Sequence, residues 1–187
     1  MNAKEALEKL SSHLGDKLLS SHEFRGEQTA VVALDALFDA LKYCHTELNF
    51  DLLIDISSID HETRDPRFEM VYELCRIEDE CHLRIKSPVA EDEAVPTAVP
   101  LWDTANWHER EVYDMMGIRF ADHPDLRRIL MWEGYPFYPL RKEFPLAGKP
   151  SDMPDVAFTG EAPLEGGPFV TSPSEAGAKS REPRARD

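Results

Sequence analysis

The residue types most able to do chemistry in this chain gather in one stretch, Trp107-His108-Glu109-Arg110-Glu111-Val112-Tyr113-Asp114-Met115-Met116-Gly117, followed by His123-Pro124-Asp125-Leu126-Arg127-Arg128-Ile129-Leu130. Three kinds of chemistry are open to such residues. Paired carboxylates with a histidine could do general acid–base work, but Arg110 between Glu109 and Glu111 would hold both ionised and blunt proton donation. A helical zinc site needs two histidines one turn apart with a glutamate beside them, whereas His108 and His123 fall on different elements. The remaining reading is an interface in which carboxylates and guanidinium groups form oriented bidentate bonds. On a helix, Arg110 can pair with Asp114 and Trp107 can meet Glu111, so the charged groups gather on one side while Ala105, Val112 and Met116 face inward. An exposed pair of this kind contributes only about 0.3–0.5 kcal/mol, so stability alone is a weak reason for the cluster. Arg127, Arg128, Arg141 and Lys142 offer matching positive charge, within the chain or across to a partner.

The elements that must position these residues follow from hydrophobic spacing. Ala3, Ala6, Leu7, Leu10 and Leu14 lie at helical intervals and Gly15 supplies a stop. Leu18–Phe24 and Glu27–Val32 form a hairpin about Arg25-Gly26. Leu34, Leu37, Phe38, Leu41 and Leu48 mark a second helix. Three period-two segments follow: Leu52, Ile54, Ile56; Phe68, Met70, Tyr72, Leu74; and Cys81, Leu83, Ile85. Glu69, Glu73, His82, Arg84 and Lys86 take the alternate positions, which predicts a sheet with one face covered by helices and one wet. Ile77-Glu78-Asp79-Glu80 is short enough to make the last two strands a hairpin. Ser87–Pro100 reads as a loop, and Trp102–Met116 as a helix capped by Asp103 or Thr104 and closed by Gly117. The expected fold is α+β: a two-layer sandwich of a mixed, largely antiparallel sheet with helices on one face, over residues 1–146. Beyond it, residues 147–187 hold six of the fourteen prolines and five of the nine glycines with no apolar period. Such a tail cannot build a core, and Ser151–Val170 is expected to lie extended on a partner, with the last residues disordered.

Bulk properties narrow the partners. A net charge of −15 repels a phosphate backbone and anionic headgroups alike, so nucleic acid is excluded and membrane contact should be indirect, through an embedded protein. No apolar run reaches the length of a spanning helix, and Met1–Leu10 is too charged for a signal-peptide core. Cys44, Cys75 and Cys81 form no CxxC pair and read as reduced thiols in a cytoplasmic compartment, a cross-strand Cys75–Cys81 bond being the lesser alternative. GxGxxG, P-loop, GxSxG and CxxCH signatures are absent, so no cofactor is expected on this chain.

The same dense stretch closely resembles the signature of the thirty-kilodalton subunit, also called the C subunit, of respiratory complex I, the proton-translocating NADH:quinone oxidoreductase. The resemblance is carried by Trp107, Glu109-Arg110-Glu111, Tyr113-Asp114, Gly117-Ile118, His123-Pro124 and Leu126-Arg127-Arg128-Ile129-Leu130, and by Pro139-Leu140-Arg141-Lys142-Glu143-Phe144-Pro145-Leu146. Glu143 stands where the family usually has Asp, and Tyr135-Pro136-Phe137-Tyr138 lengthens the stretch before Pro139. The resemblance implies a separate, unfused component of the peripheral arm, beside the forty-nine-kilodalton D subunit and the cluster-bearing B subunit. It also implies placement on the cytoplasmic side of the bacterial inner membrane. NADH, FMN, iron–sulfur clusters and quinone would then be held by other subunits, with neither catalytic nor metal residues here. The signature residues Trp107, Glu109, Arg110, Glu111, Tyr113, Asp114, Gly117, His123, Pro124, Arg127, Arg128, Arg141 and Lys142 are the expected subunit interface. Three rivals remain: a sister subunit in a membrane-bound hydrogenase or related quinone reductase, a free-standing hydrolase or isomerase using Glu109, Glu111 and His123, and an adaptor of an unrelated assembly.

Overall fold

A computed structural model describes residues 1–145 together with the backbone of Val156–Ala157 and Gly160–Glu161. The first helix, α1 (Ala3–Leu14), begins in a capping box: Asn2 Oδ1 accepts the Glu5 N–H at 2.8 Å while the Glu5 carboxylate accepts the Asn2 N–H. Its Ala6, Leu7, Leu10 and Leu14 are buried. The strands β1 (Leu18–Phe24) and β2 (Glu27–Val32) pair antiparallel about Arg25 and Gly26. Both of those residues have positive φ, +53° and +85°, the backbone of a type I′ hairpin. A single 3-10 turn at Leu34–Ala36 leads into α2 (Leu37–Thr46), so the second helix starts slightly later than its apolar spacing predicts.

The strands β3 (Leu52–Asp60), β4 (Phe68–Arg76) and β5 (Cys81–Val89) form the antiparallel meander that the alternation predicts. The five-stranded sheet has the order β1-β2-β5-β4-β3, and β2 joins β5 in parallel through Thr29–Val31 against Arg84–Lys86. One apolar core gathers Leu10 and Leu14 of α1, Leu37 and Leu41 of α2, and Met70, Tyr72, Leu74, Leu83 and Ile85 of the sheet, together with Val112 and Met116 further on. The wet face carries cross-strand ion pairs, Lys86 with Glu69 at 2.8 Å, and Arg84 with both Glu73 and Glu27. The α+β sandwich expected from the sequence is therefore the fold.

Two corrections bear on the site. Ser87–Pro100 is not all loop: β5 runs to Val89, and β6 (Ala94–Pro96) pairs in parallel with β7 (Arg119–Ala121). Neither three-residue strand is long enough to show a period, and the pairing is driven by the burial of Val95 and Phe120. The third helix, α3 (Ala105–Met116), has no side-chain cap from Thr104, nor does Asp103 supply one. Instead a backbone turn feeds it, with Trp102 N–H on Ala98 O and Ala105 N–H on Trp102 O. The buried Trp102 indole pins that turn by donating to Phe50 O at 3.2 Å. The three cysteines are buried and free. Beyond residue 145 there is a two-residue pair, β8 (Val156–Ala157) with β9 (Gly160–Glu161), too short to leave a pattern in the sequence. The expected docking segment Ser151–Val170 otherwise lies outside the described residues.

Candidate functional site

The site is built on α3, which lies along β3 and turns Ala105, Val112, Met115 and Met116 into the core. Charged residues of this helix are buried as well: Glu109 and Asp114 are wholly covered and Arg110 nearly so, while Glu111 and Trp107 are exposed. The expected gathering of charge on one side therefore fails for Glu109, which lies on the core face with Val112 and Met116, while Arg110 and Asp114 both turn to the 127–131 segment. A helix packed between the sheet and a covering segment has two buried faces, and Glu109 and Arg110 fall toward different ones.

Asp114 organises the covering segment. Its Oδ2 accepts the N–H groups of Ile129, Leu130 and Met131 at 2.9, 2.7 and 2.8 Å, and its Oδ1 accepts Arg128 Nη1 at 2.6 Å. A buried carboxylate holding three backbone donors and one guanidinium is fully satisfied. Arg128 also donates to Asp114 O, Tyr135 O and Phe137 O, and its guanidinium stacks over the rings of Tyr135 and Tyr138. The expected Arg110–Asp114 pair does not form, because Asp114 is occupied by Arg128. Arg110 instead donates to the carbonyls of Arg127 and Arg128 and lies 5.4 Å over the Trp107 ring. The contact that Trp107 makes is thus with the Arg110 guanidinium.

The end of α3 is set by Gly117, with φ +78° and its N–H on Tyr113 O. A Cβ there would stand 2.7 Å from the Tyr138 ring and 2.9 Å from Arg141 Nη2. Arg141 uses that space: it donates to Met116 O at 2.7 Å and to Glu91, and stacks on Phe68 and Tyr138. The neighbouring Lys142 backbone N–H donates to Asp60 Oδ2 at 2.9 Å. Arg67 holds Asp60 well below the usual carboxylate range and also reaches Glu143 and Glu91. Asp60, Arg67 and Glu91 carry no signal in the sequence, because no spacing ties a strand end to a block some eighty positions away.

Glu109 and His123 meet, but not at a surface. Glu109 Oε1 accepts the Ala98 N–H at 2.6 Å, Oε2 lies 2.6 Å from Thr97 Oγ1, and His123 Nε2 is 3.9 Å from Oε2 with both side chains fully covered. Burial pushes the Glu109 carboxyl up to about 7 against the lowering effect of Thr97 and Ala98, and burial pushes His123 down. Arg110 therefore does not hold Glu109 ionised as its adjacency in sequence implied. Glu111 stays apart, so the acid–base set Glu109, Glu111 and His123 is not assembled. No grouping of three or more His, Cys, Asp or Glu able to hold a metal occurs among the described residues. Tyr113 is half-buried and Pro124 exposed, and Arg127 is exposed with its Nε 2.8 Å from the neighbouring Asp125 carboxylate.

Comparison with known proteins sets this geometry in a family. The model of the respiratory-chain NADH dehydrogenase, 30 Kd subunit, matches residues 30–150. The chain belongs to that family. Like it are the C subunit of the NADH-quinone oxidoreductase of Geotalea uraniireducens, 44% identical over 76% of this chain and 88% of the relative, and the second C subunit of Rhizobium meliloti, 48% identical over 65% of this chain and 66% of the relative. A chain in the structure of the membrane-bound sulfane sulfur reductase, an archaeal respiratory membrane complex, has the same fold with a TM-score of 0.67 at 23% identity, covering 76% of this chain and 85% of that one. As a member of the 30 Kd family the chain is a component of the NADH-quinone oxidoreductase family of complexes. No helix among the described residues is long and apolar enough to cross a membrane.

Proposed function

We propose that this chain is a scaffold component of the peripheral arm of NADH-quinone oxidoreductase. It supports electron transfer from NADH to quinone, and the coupled proton translocation, by holding the quinone-site D and B subunits in place. It stands on the cytoplasmic side of the membrane. NADH, FMN, iron–sulfur clusters and quinone are bound by other subunits. The observation that carries this reading is the division of labour between α3 and the segment that covers it. Asp114, Arg128, Gly117 and Arg141 are spent inside the chain, fastening the 128–141 segment to the helix end. Trp107, Glu111, Arg127, Leu130 and Leu140 are left on the outside, exposed and mixed in character as the surfaces of protein interfaces are. A large exposed tryptophan with an arginine stacked on its ring is the kind of anchor that contributes most at such surfaces.

The test is to tag the chain in its native host, solubilise membranes gently, identify what co-purifies by mass spectrometry and assay NADH:quinone reduction. Recovery of flavin- and cluster-bearing complex I subunits with activity is the expected result. A set of hydrogenase subunits would move the chain to a sister complex, and a solitary chain would overturn the scaffold reading.

A further inference from the structure

Glu109 sits where three parts of the fold meet, and its hydrogen bonds assign different roles to its two oxygens. Oε1 faces the Ala98 N–H at 2.6 Å, a donor that cannot reverse its role, so Oε1 is fixed as an acceptor. Oε2 faces Thr97 Oγ1 at 2.6 Å, and that hydroxyl already accepts the Val99 N–H at 3.2 Å. A hydroxyl can rotate. It donates to Oε2 when Glu109 is a carboxylate and accepts from it when Glu109 is an acid, so Oε2 can gain or lose a proton without breaking the contact.

The surroundings do not favour a permanent charge. From β4 comes the Tyr72 hydroxyl, wholly buried and without a hydrogen-bond partner among the described residues; burial first, and a charge on Glu109 second, oppose its ionisation. From the segment after β7 comes His123, whose ring state the backbone fixes. Its Nδ1 accepts the Asp125 N–H at 3.0 Å and its Nε2 donates to Asn106 O at 3.3 Å, so it is the neutral Nε2–H tautomer. Arg110, next along α3, is turned to the carbonyls of Arg127 and Arg128, and Asp125 beyond His123 is paired with Arg127. Glu109 thus makes its hydrogen bonds to a neutral hydroxyl and a backbone amide.

We propose that the Glu109 carboxyl is a proton-binding site inside this chain, Oε2 taking up and releasing a proton as Thr97 reverses between donor and acceptor. The proposal concerns this chain's own core and does not rest on the scaffold reading. The sign of its effect is set by linkage. A folded carboxyl raised from 4.5 to about 7 keeps a proton that the unfolded chain has already released. Its contribution to stability is therefore fully present below the ordinary carboxylate range and is lost as pH rises to neutrality. The unfolding constant should rise by on the order of a hundredfold from this group alone across that window.

The experiment is urea unfolding of the full chain between pH 5 and 8, wild type beside Glu109→Gln, with a carbon-13 titration of glutamate-labelled protein. The expected result is a wild-type unfolding constant that climbs on the order of a hundredfold relative to Glu109→Gln as pH rises. One glutamate carboxyl resonance should titrate near neutrality and be missing from the variant. Parallel pH dependence of the two proteins, or no glutamate titrating above the ordinary carboxylate range, would overturn the proposal. Should Glu109→Gln fail to fold, Thr97→Val decides: the hydroxyl bonds both forms but the carboxylate more strongly, so its loss moves the same resonance to higher pH, and an unmoved resonance overturns the assignment.

Discussion

Two demands meet at Gly117. A positive φ closes α3, and the missing Cβ leaves room for the Tyr138 ring and the Arg141 guanidinium. Gly117→Ala should therefore cost more than the backbone term alone, about 2–4 kcal/mol, read as a lower denaturant midpoint. Asp114→Asn should cost about 3–5 kcal/mol by the same measurement, since it leaves the Arg128 guanidinium largely buried against a neutral amide and turns an N–H donor toward backbone donors. Glu111→Gln should stay within about 0.5 kcal/mol of wild type, because Glu111 is exposed, so any loss of assembled complex in that variant reports on the interface. Asp60 adds a pH dependence opposite in sign to that of Glu109. Its carboxyl is lowered first by the Arg67 hydrogen bond. The stability it contributes is complete above the ordinary aspartate range and is lost as pH falls toward its folded value. Asp60→Asn should flatten the acid limb of the stability curve, and an unchanged limb would place that limb's origin elsewhere.

Among the elements, the segment from His123 to Pro145 holds no helix and no strand, yet it is tied to α3 by Arg110, Asp114, Arg128 and Arg141. Arg128→Ala should release it. Hydrogen exchange at Ile129–Phe137 should speed up by at least tenfold while amides of β4 and β5 keep their protection, a contrast that a general loss of stability would not produce. The difference in element type also explains what is legible in the sequence. The β3-β4-β5 meander, the Arg25-Gly26 turn and the three helices announce themselves through local period and turn chemistry. The parallel pairing of β6 with β7, the reach of Arg67 to Glu143 and the choice of Arg128 over Arg110 as the partner of Asp114 do not. They depend on which distant backbone arrives first at a buried group, and sequence spacing cannot rank such competitors. Signature residues stand out as a set, but their partners do not: Glu109 reads as a surface charge and lies in the core.

At the scale of the whole molecule, residues 1–145 share one apolar core that reaches from α1 to Phe120. A chain ending at Leu146 should therefore melt cooperatively near the full-length temperature. If residues 147–187 dock on a neighbour, as their composition suggests, the shortened chain should recover less of the complex from solubilised membranes. Equal recovery by the two chains would remove that segment from the interface.

The parallel contact of β2 with β5 has a consequence for how the chain comes into being. Synthesis runs from the first residue, so the β1–β2 hairpin is made well before Arg84–Lys86 exist for Thr29–Val31 to pair with. The meander closes through short connections, whereas the hairpin must join across α2 and two further strands. The internal seam between β2 and β5 is therefore expected to zip last. Until it does, the nascent chain carries an open β2 edge, a stretch that other chains could pair with.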